Sequence, residues 1–168
     1  MEAQSTKTRQ FKYESVAVHP DGTVDKKVAY NLVPTVGLND GISKRYSATS
    51  YTSAFYIGLL SATPTLAASD TMASHGGWTE VAAYSSPTTR PALVLGTPSG
   101  GSADNSASTV SFTMNASGTT GGFFISTDST ISGTTGILDS EAAFTGGNQA
   151  YVSGTVITVT VTVTETSA

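Results

Sequence analysis

The most regular pattern along the chain is the alternation of apolar residues and threonines from Ile157 to Thr164, within its last strand-like run from Gly154 to Glu165. Side chains of an extended chain point alternately to its two faces, so the threonines share one face and four aliphatic residues share the other. Those four residues are Ile157, Val159, Val161 and Val163. At about 3.3 Å per residue the run spans on the order of 40 Å. It predicts a half-buried β-strand that crosses the domain, contributes to the core and takes part in assembly.

Shorter strand-like runs separated by turn signals fill most of the remaining chain. The stretch Ala54–Leu60 is almost continuously apolar, which is typical of a strand buried on both faces. The other candidate strands are Trp78–Ala83, Pro91–Thr97, Thr109–Asn115, Gly122–Thr127 and Ile137–Phe144. The turn-rich pieces between them are Pro98–Gly101, Gly118–Gly121, Ser132–Gly136 and Gly146–Asn148. Short strands at this spacing predict an all-β fold, an antiparallel β-sandwich that is jelly-roll-like.

The first thirty residues predict an N-terminal arm or hairpin, distinct from a β-sandwich domain that comprises residues 31–168. Two strand-like runs flank the turn sequence His19-Pro20-Asp21-Gly22, which indicates a hairpin. An extended arm over a partner fits equally, because Lys26 and Lys27 dilute the apolar face. Residues 1–10 show no apolar periodicity, so we expect them to be disordered in the free protein. The candidate partner contacts of the arm are Lys7, Arg9, Phe11, Lys12 and Tyr13.

One short helix is predicted between Thr35 and Ser47, where apolar residues recur every four positions and so share one helical face. These residues are Leu38, Ile42 and Tyr46. Gly41 weakens the helix by about 1 kcal/mol relative to alanine, so packing of this face must hold it in place. The segment from Ser61 to Gly77 has no period of two and predicts a long loop with one turn of helix capped by Asp70.

The composition is more typical of a structural protein than of an enzyme. Only 12% of the residues are charged, whereas Ser and Thr together supply 51 residues and Gly 17. Such a surface suits close, weakly charged contacts between subunits, although linkers and adhesins share it. The net charge of −4 and the absence of a basic stripe argue against nucleic-acid binding. Neither a secretory signal nor a membrane helix is visible, so we expect synthesis in the cytoplasm.

Few residues offer reactive chemistry. His19 is expected to be a solvated turn residue. Asp70, His75 and Glu80 fall in one loop and could form a metal or acid–base cluster, but a histidine before two glycines more often fixes its loop through backbone hydrogen bonds. Trp78 is expected in the core, with an aromatic platform for sugar as the alternative.

Asp139 and Glu141 lie two residues apart and therefore share one face of a strand, as a glycosidase pair does; a solvated edge is the simpler interpretation. The chain has no cysteine, no nucleophile elbow and no phosphate-binding glycine motif. We expect no enzyme activity, no cofactor and no resident metal.

Several segments in the middle of the chain carry a resemblance to a known family. They are Val36–Asn39, Ala54–Leu60, Ala68–Glu80, Tyr84–Ser85 and Thr89–Pro91. Together they resemble small virion structural proteins of tailed bacteriophages. The resemblance covers roughly residues 31–163 and is most specific in the loop that contains Asp70, His75, Trp78 and Glu80. The N-terminal arm lies outside it.

The resemblance implies a non-enzymatic role on the particle. We expect a capsid decoration or cement protein, located in the virion, that binds the major capsid protein or other virion proteins. It is expected to form a homo-oligomer, with a trimer as the guess, and to bind neither nucleic acid nor membrane directly. A tail, neck, collar or fibre-adaptor component is the first alternative. A carbohydrate-binding adhesin module that uses Trp78, Tyr84 or Tyr151 is the alternative of another class.

Overall fold

The structure, a computed structural model, describes residues 8–46 and 54–166. The described residues form an antiparallel all-β fold with one α-helix, as the sequence predicts. The strands are β1 Thr8–Val18, β2 Val24–Tyr30, β3 Tyr56–Ser61, β4 Tyr84–Ser86, β5 Ser102–Asp104, β6 Val110–Met114, β7 Gly118–Ser126, β8 Leu138–Thr145, β9 Gln149–Tyr151 and β10 Val156–Thr166. The helix α1 comprises Thr35–Tyr46, and a single 3-10 turn comprises Ser106–Ser108.

The strands form one sheet that curls into two facing layers. The strand order is β3-β7-β8-β2-β1-β10-β6-β4, with β5 beside β10 and β9 beside β7. Residues from both halves of this order meet in one hydrophobic cluster, so the curled sheet encloses its core as a sandwich does. We call β2, β1, β10 and β6 the first layer, and β3, β7 and β8 the second layer.

The free edge of β3 is covered by the segment 79–93. The amide of Val81 donates to the Leu59 carbonyl at 2.9 Å, and the amide of Leu93 donates to the Phe55 carbonyl at 2.7 Å. Strand β4 lies within the same segment and pairs with β6 of the first layer. The segment therefore links the two ends of the curled sheet and satisfies backbone groups that an open edge would leave unpaired.

The C-terminal strand has the predicted register. Ile157, Val159 and Val161 are fully buried in the main cluster, and Val163 packs against that cluster from a partly buried position. The threonines between them point to the opposite face of the first layer. The prediction that this strand contributes to the core is therefore confirmed.

The N-terminal residues form the predicted hairpin, and its first strand is central to the sheet. β1 pairs with β2 on one side and with β10 on the other, where the register runs from Thr8 against Thr166 to Val18 against Val156. Phe11 and Tyr13 are buried in the core, so their expected place on a partner-contacting arm is wrong. Residues 1–7, with Lys7, lie outside the described residues.

The helix α1 forms where expected but packs through a different face. Leu38 and Ile42 are 47% and 58% exposed, which corrects the prediction that they hold the helix on the core. Gly37 lies against β8 instead, where a Cβ atom would come within 2.8 Å of the Asp139 carbonyl oxygen. The helix backbone approaches the sheet so closely that only glycine fits there. The side chain of Tyr46 lies outside the described residues.

Four local predictions fail. The expected turn Gly118–Gly121 is the start of β7, because its glycines allow close packing: a Cβ on Gly121 would lie 2.5 Å from the Ser61 carbonyl oxygen. Asp70 caps no helix; it closes a turn by accepting a hydrogen bond from the amide of Ala67 at 3.1 Å. The expected strands at 78–83 and 91–97 form only single bridges, Glu80 with Leu60 and Ala92 with Tyr56.

A pair of substitutions in β10 tests this arrangement. We expect Val161→Asp to lower the free energy of unfolding by about 4 kcal/mol or more, because it buries an unpaired carboxylate. We expect Thr160→Asp, on the opposite face of β10, to change it by no more than about 1 kcal/mol. Urea unfolding of both purified variants measures the difference. A Val161 variant as stable as the parent would contradict the register.

Candidate functional site

The loop that contains Asp70, His75, Trp78 and Glu80 covers the side of the second layer that points away from the main core. His75 stacks on Trp78 with ring centroids 3.7 Å apart, and its Nδ1 lies 3.0 Å from the Trp78 carbonyl oxygen. Trp78 is 4% exposed and packs on Phe124 and Leu60 in a second hydrophobic cluster. The expectation that Trp78 belongs to the core is confirmed, and its alternative as a sugar platform lacks an accessible ring.

Trp78 is tied to a carboxyl group that the sequence did not single out for this role. Its Nε1 donates to Oε2 of Glu141 at 2.9 Å, while Oε1 of Glu141 has no hydrogen-bond partner. Glu141 is fully buried on β8. The pKa of Glu141 is raised to about 7, chiefly by burial; the nearby carboxyl of Asp70 contributes to the rise, and the hydrogen bond from Trp78 opposes it.

Asp139 shares the outward face of β8 with Glu141, as the spacing predicts, but the expected solvated edge is wrong because both are buried. The Arg9 guanidinium lies 3.6 Å from the Asp139 carboxyl and also donates to the Gly37 carbonyl at 3.2 Å. Burial raises the pKa of Asp139, and the Arg9 charge opposes that rise. Arg9 thus fastens β1, β8 and α1 together rather than extending to a partner.

A buried ion pair fixes the other side of the same loop. The Arg90 guanidinium binds Glu80 through two hydrogen bonds, Nε to Oε1 at 2.9 Å and Nη2 to Oε2 at 2.8 Å. Its Nη1 donates to the Asp128 carbonyl at 2.8 Å, and its Cζ lies 5.0 Å above the Phe124 ring. The amide of Ser132 also donates to Glu80. This pair joins the segment 79–93 to the loop after β7, and sequence reasoning missed Arg90 because its partners are distant along the chain.

A cleft of about 220 Å³ lies between these groups and the 132–134 loop, with His75 and Trp78 on its other side. Arg90 and Glu80 at its wall already satisfy each other. Within residues 8–46 and 54–166, His, Asp and Glu form no group of three or more arranged to hold a metal ion. The loop residues Asp70, His75, Trp78 and Glu80 therefore form a structural cluster that fastens the loop to the second layer.

His19 also has a structural role. Its Nε2 lies 3.1 Å from the Asp25 carboxylate, and its Nδ1 lies 3.1 Å from the hydroxyl of Thr155. Its side chain is 13% exposed, so the expected solvated turn residue is wrong. His19 connects the hairpin turn to the residue that precedes β10.

The side of the first layer that points away from the core is a different kind of surface, which we call the outer face. Its residues are Lys12, Glu14, Val16 and Val18 of β1, Val24, Lys26, Val28 and Tyr30 of β2, and Val156, Thr158, Thr160 and Thr162 of β10. Three of its valines, Val16, Val18 and Val24, are 36%, 45% and 53% exposed. Tyr30 is 48% exposed. An apolar patch with a polar rim of this kind is typical of a protein-binding surface.

Comparison of the chain with protein-family models, with curated proteins and with solved structures gave no match. Among the described residues, no helix has the length and apolar character needed to span a membrane. The geometry of the chain itself therefore carries the functional argument.

The buried Glu141 predicts a pH dependence of stability. Its pKa is about 7 in the folded protein against an ordinary 4.5, so the folded state binds more protons between these values. Stability should therefore fall as the pH rises through this window, by at most about 3 kcal/mol. Asp139 contributes in the same direction because its pKa is also raised.

Urea unfolding between about pH 5 and pH 8 measures this effect. We expect Glu141→Gln to flatten the pH profile and to be more stable than the parent at the alkaline end. Glu14→Gln, at an exposed carboxylate, is the matched control and should keep the parent profile. An unchanged slope in the Glu141 variant would refute the assignment.

The ion pair gives a second prediction. Arg90→Met leaves the Glu80 charge buried without its partner, and we expect a loss of about 3–5 kcal/mol. Adding Glu80→Leu to that variant should restore part of the loss, because the unpaired charge is gone. Lys12→Met, which breaks the exposed pair with Glu14, should cost less than about 1 kcal/mol. A single Arg90 variant as stable as the parent would show that the pair does not anchor the loop.

Proposed function

We propose that the protein is a non-enzymatic structural protein of a tailed-phage virion, a capsid decoration or cement protein that stabilises the head. The observation that carries this proposal is the exposed outer face of the first layer, which presents short hydroxyl and valine side chains on a regular sheet. The major capsid protein is the proposed partner on the particle.

The outer face has the physical properties that such a contact needs. Threonine and valine lose little side-chain freedom when they become buried, so ordering them at an interface costs less than ordering long charged side chains. A standard interface buries about 1,600 Å². Many copies on one symmetric lattice, with contacts to several capsid subunits, add the effect of multivalency.

The opposite side of the molecule supports the same proposal. The strongly buried groups there, Arg90, Glu80 and Glu141, contact other parts of this chain and fasten the loop and sheet into one unit. A subunit that clamps its neighbours must resist deformation. The contacts of Arg90, Glu80 and Glu141 fix the second layer, while the outer face of the first layer stays exposed for binding.

The alternatives remain distinguishable. A tail, neck or collar component has the same composition, and its copy number per particle would be far lower than that of a head protein. The adhesin alternative lacks support in the described side chains. Trp78, Tyr84 and Tyr151 are 4%, 4% and 5% exposed, so none offers a ring for sugar stacking.

Reconstitution on phage heads that lack this protein tests the proposal. We expect the purified protein to bind heads and to raise the temperature at which they release DNA, because each bound copy adds buried area between capsid subunits. Val18→Asp should weaken binding at least about tenfold, since it places a charge on the outer face. Ile42→Asp adds the same charge on α1 and is the matched control. Binding to tails but not to heads would contradict the proposal.

A further inference from the structure

We propose that the carboxyl groups of Asp70 and Glu141 form a proton-dependent latch. The latch holds the segment 65–77 on the second layer while one proton lies between the two carboxyls, and it releases the segment when that proton is lost. This device goes beyond the proposed function, because it lies on the layer opposite the outer face. It makes the covering of the second layer depend on pH.

Both carboxyl groups of the latch are buried. Glu141 is fully buried on β8, and Asp70 is 7% exposed. The two side chains lie within hydrogen-bonding reach of each other. Two ionised carboxylates this close repel each other, so the pair is most stable when it shares one proton. Oε1 of Glu141 receives no hydrogen bond from the described residues, so this oxygen is available to share the proton with Asp70.

The groups that contact the pair favour a proton over a metal cation. Nε1 of Trp78 donates to Oε2 of Glu141 at 2.9 Å, and the amide of Ala67 donates to Oδ2 of Asp70 at 3.1 Å. Both neighbours are N–H donors, whereas a hard cation needs further oxygen ligands. Two donors suit a pair of carboxyls that together carry one negative charge.

The other ionisable groups on the elements around the pair have contacts of their own. They are Asp139, which faces Arg9 of β1 and lies near Asp40 of α1, Arg90 with Glu80, His75 on Trp78, and Tyr13, whose hydroxyl donates to Ser140. The charges of Arg9 and Arg90 are therefore already balanced. When the shared proton leaves for water, the latch changes from one negative charge to two.

The segment 65–77 is suited to local opening. It forms neither a helix nor a strand, and it contacts the second hydrophobic cluster through Leu66 and Met72. The amide of Thr35 also donates to the Ala68 carbonyl at 2.9 Å. A segment that has no ladder of strand hydrogen bonds opens at a lower free energy than the whole domain. Repulsion within the latch therefore acts first on this segment.

The proton fixes the direction of the pH effect. The pKa of Glu141 is about 7 in the closed state, chiefly because of burial, and returns toward its ordinary 4.5 when the open segment admits water. The closed state is therefore most favoured below about pH 4.5 and loses stability as the pH rises to about 7. Each pH unit in this window should raise the ratio of open to closed segment by about tenfold, since one proton is released.

Oxidation of buried methionines by hydrogen peroxide, followed by mass spectrometry, measures the opening. Met72 lies in the segment and Met114 in the main core, and they are 2% and 1% exposed. In the parent, Met72 should be oxidised at least about tenfold faster at pH 8 than at pH 5. At pH 8 it should also be oxidised at least about tenfold faster than Met114, because local opening requires less free energy than global unfolding.

Substitutions in the latch identify the group responsible. Glu141→Gln and Asp70→Asn should each abolish the pH dependence of Met72 oxidation, because an amide donates to the remaining carboxyl at any pH. Loss of a merely structural contact would instead raise the oxidation of Met72 at both pH values. Glu14→Gln, at an exposed carboxylate, is the matched control and should behave as the parent.

Three results would overturn the latch. One is oxidation of Met72 in the parent that does not change with pH. Equal rates for Met72 and Met114 at pH 8 would assign the effect to global unfolding. A pH dependence that survives in either latch variant would assign it to another group, such as His75, which both variants keep. Near-ultraviolet circular dichroism checks that each variant is folded, and either variant alone tests the pair. No particle is present in these measurements, so failure of the latch leaves the proposed function standing.

Discussion

The pairing of the first and last strands is the constraint on which the rest of the structure depends. β1 and β10 are in register over their full length, in the middle of the sheet order. Because strand side chains alternate with a period of two, this register decides at once which residues face the core and which form the outer face. β2 pairs with one side of this unit and β6 with the other. In both strands, therefore, alternate residues face the core and the outer face in step with β1 and β10.

The two outer faces of the sandwich differ because one is covered and the other is not. The second layer carries buried carboxyl groups on β8, and it is covered by α1 and by the loop that contains His75 and Trp78. Hydrogen bonds and ion pairs from Arg9, Trp78 and Arg90 hold these covering segments. The first layer presents valine, threonine and tyrosine to the surroundings. Its exposed valines and Tyr30 do not contribute to the core, and we propose that they serve assembly.

Much of the fold could be predicted from local patterns, because alternation and turn residues act within a few positions. The alternation in 154–165 predicted which residues of β10 are buried, and the apolar run at 54–60 predicted β3. The three-residue strands β4, β5 and β9 are too short to show a period. The packing of α1 through Gly37 was missed because a glycine gives no apolar signal, and only the neighbouring β8 backbone shows why it is needed.

The candidate site was harder to predict, because its contacts join residues that are distant along the chain. The loop residues Asp70, His75, Trp78 and Glu80 were identified through a resemblance, but their partners were not. Glu141 is 63 positions from Trp78, and its raised pKa follows from burial that no local pattern reveals. Val16 and Tyr30 became candidates only when the register placed them on one exposed face.

The central claim is that the outer face of the first layer is the assembly surface of this protein. Electron microscopy of the native virion at subunit resolution tests it most directly. The account predicts that this chain lies on the head with Val16, Val18 and Tyr30 buried in a protein contact. Density that shows these residues facing solvent on the assembled particle would contradict it.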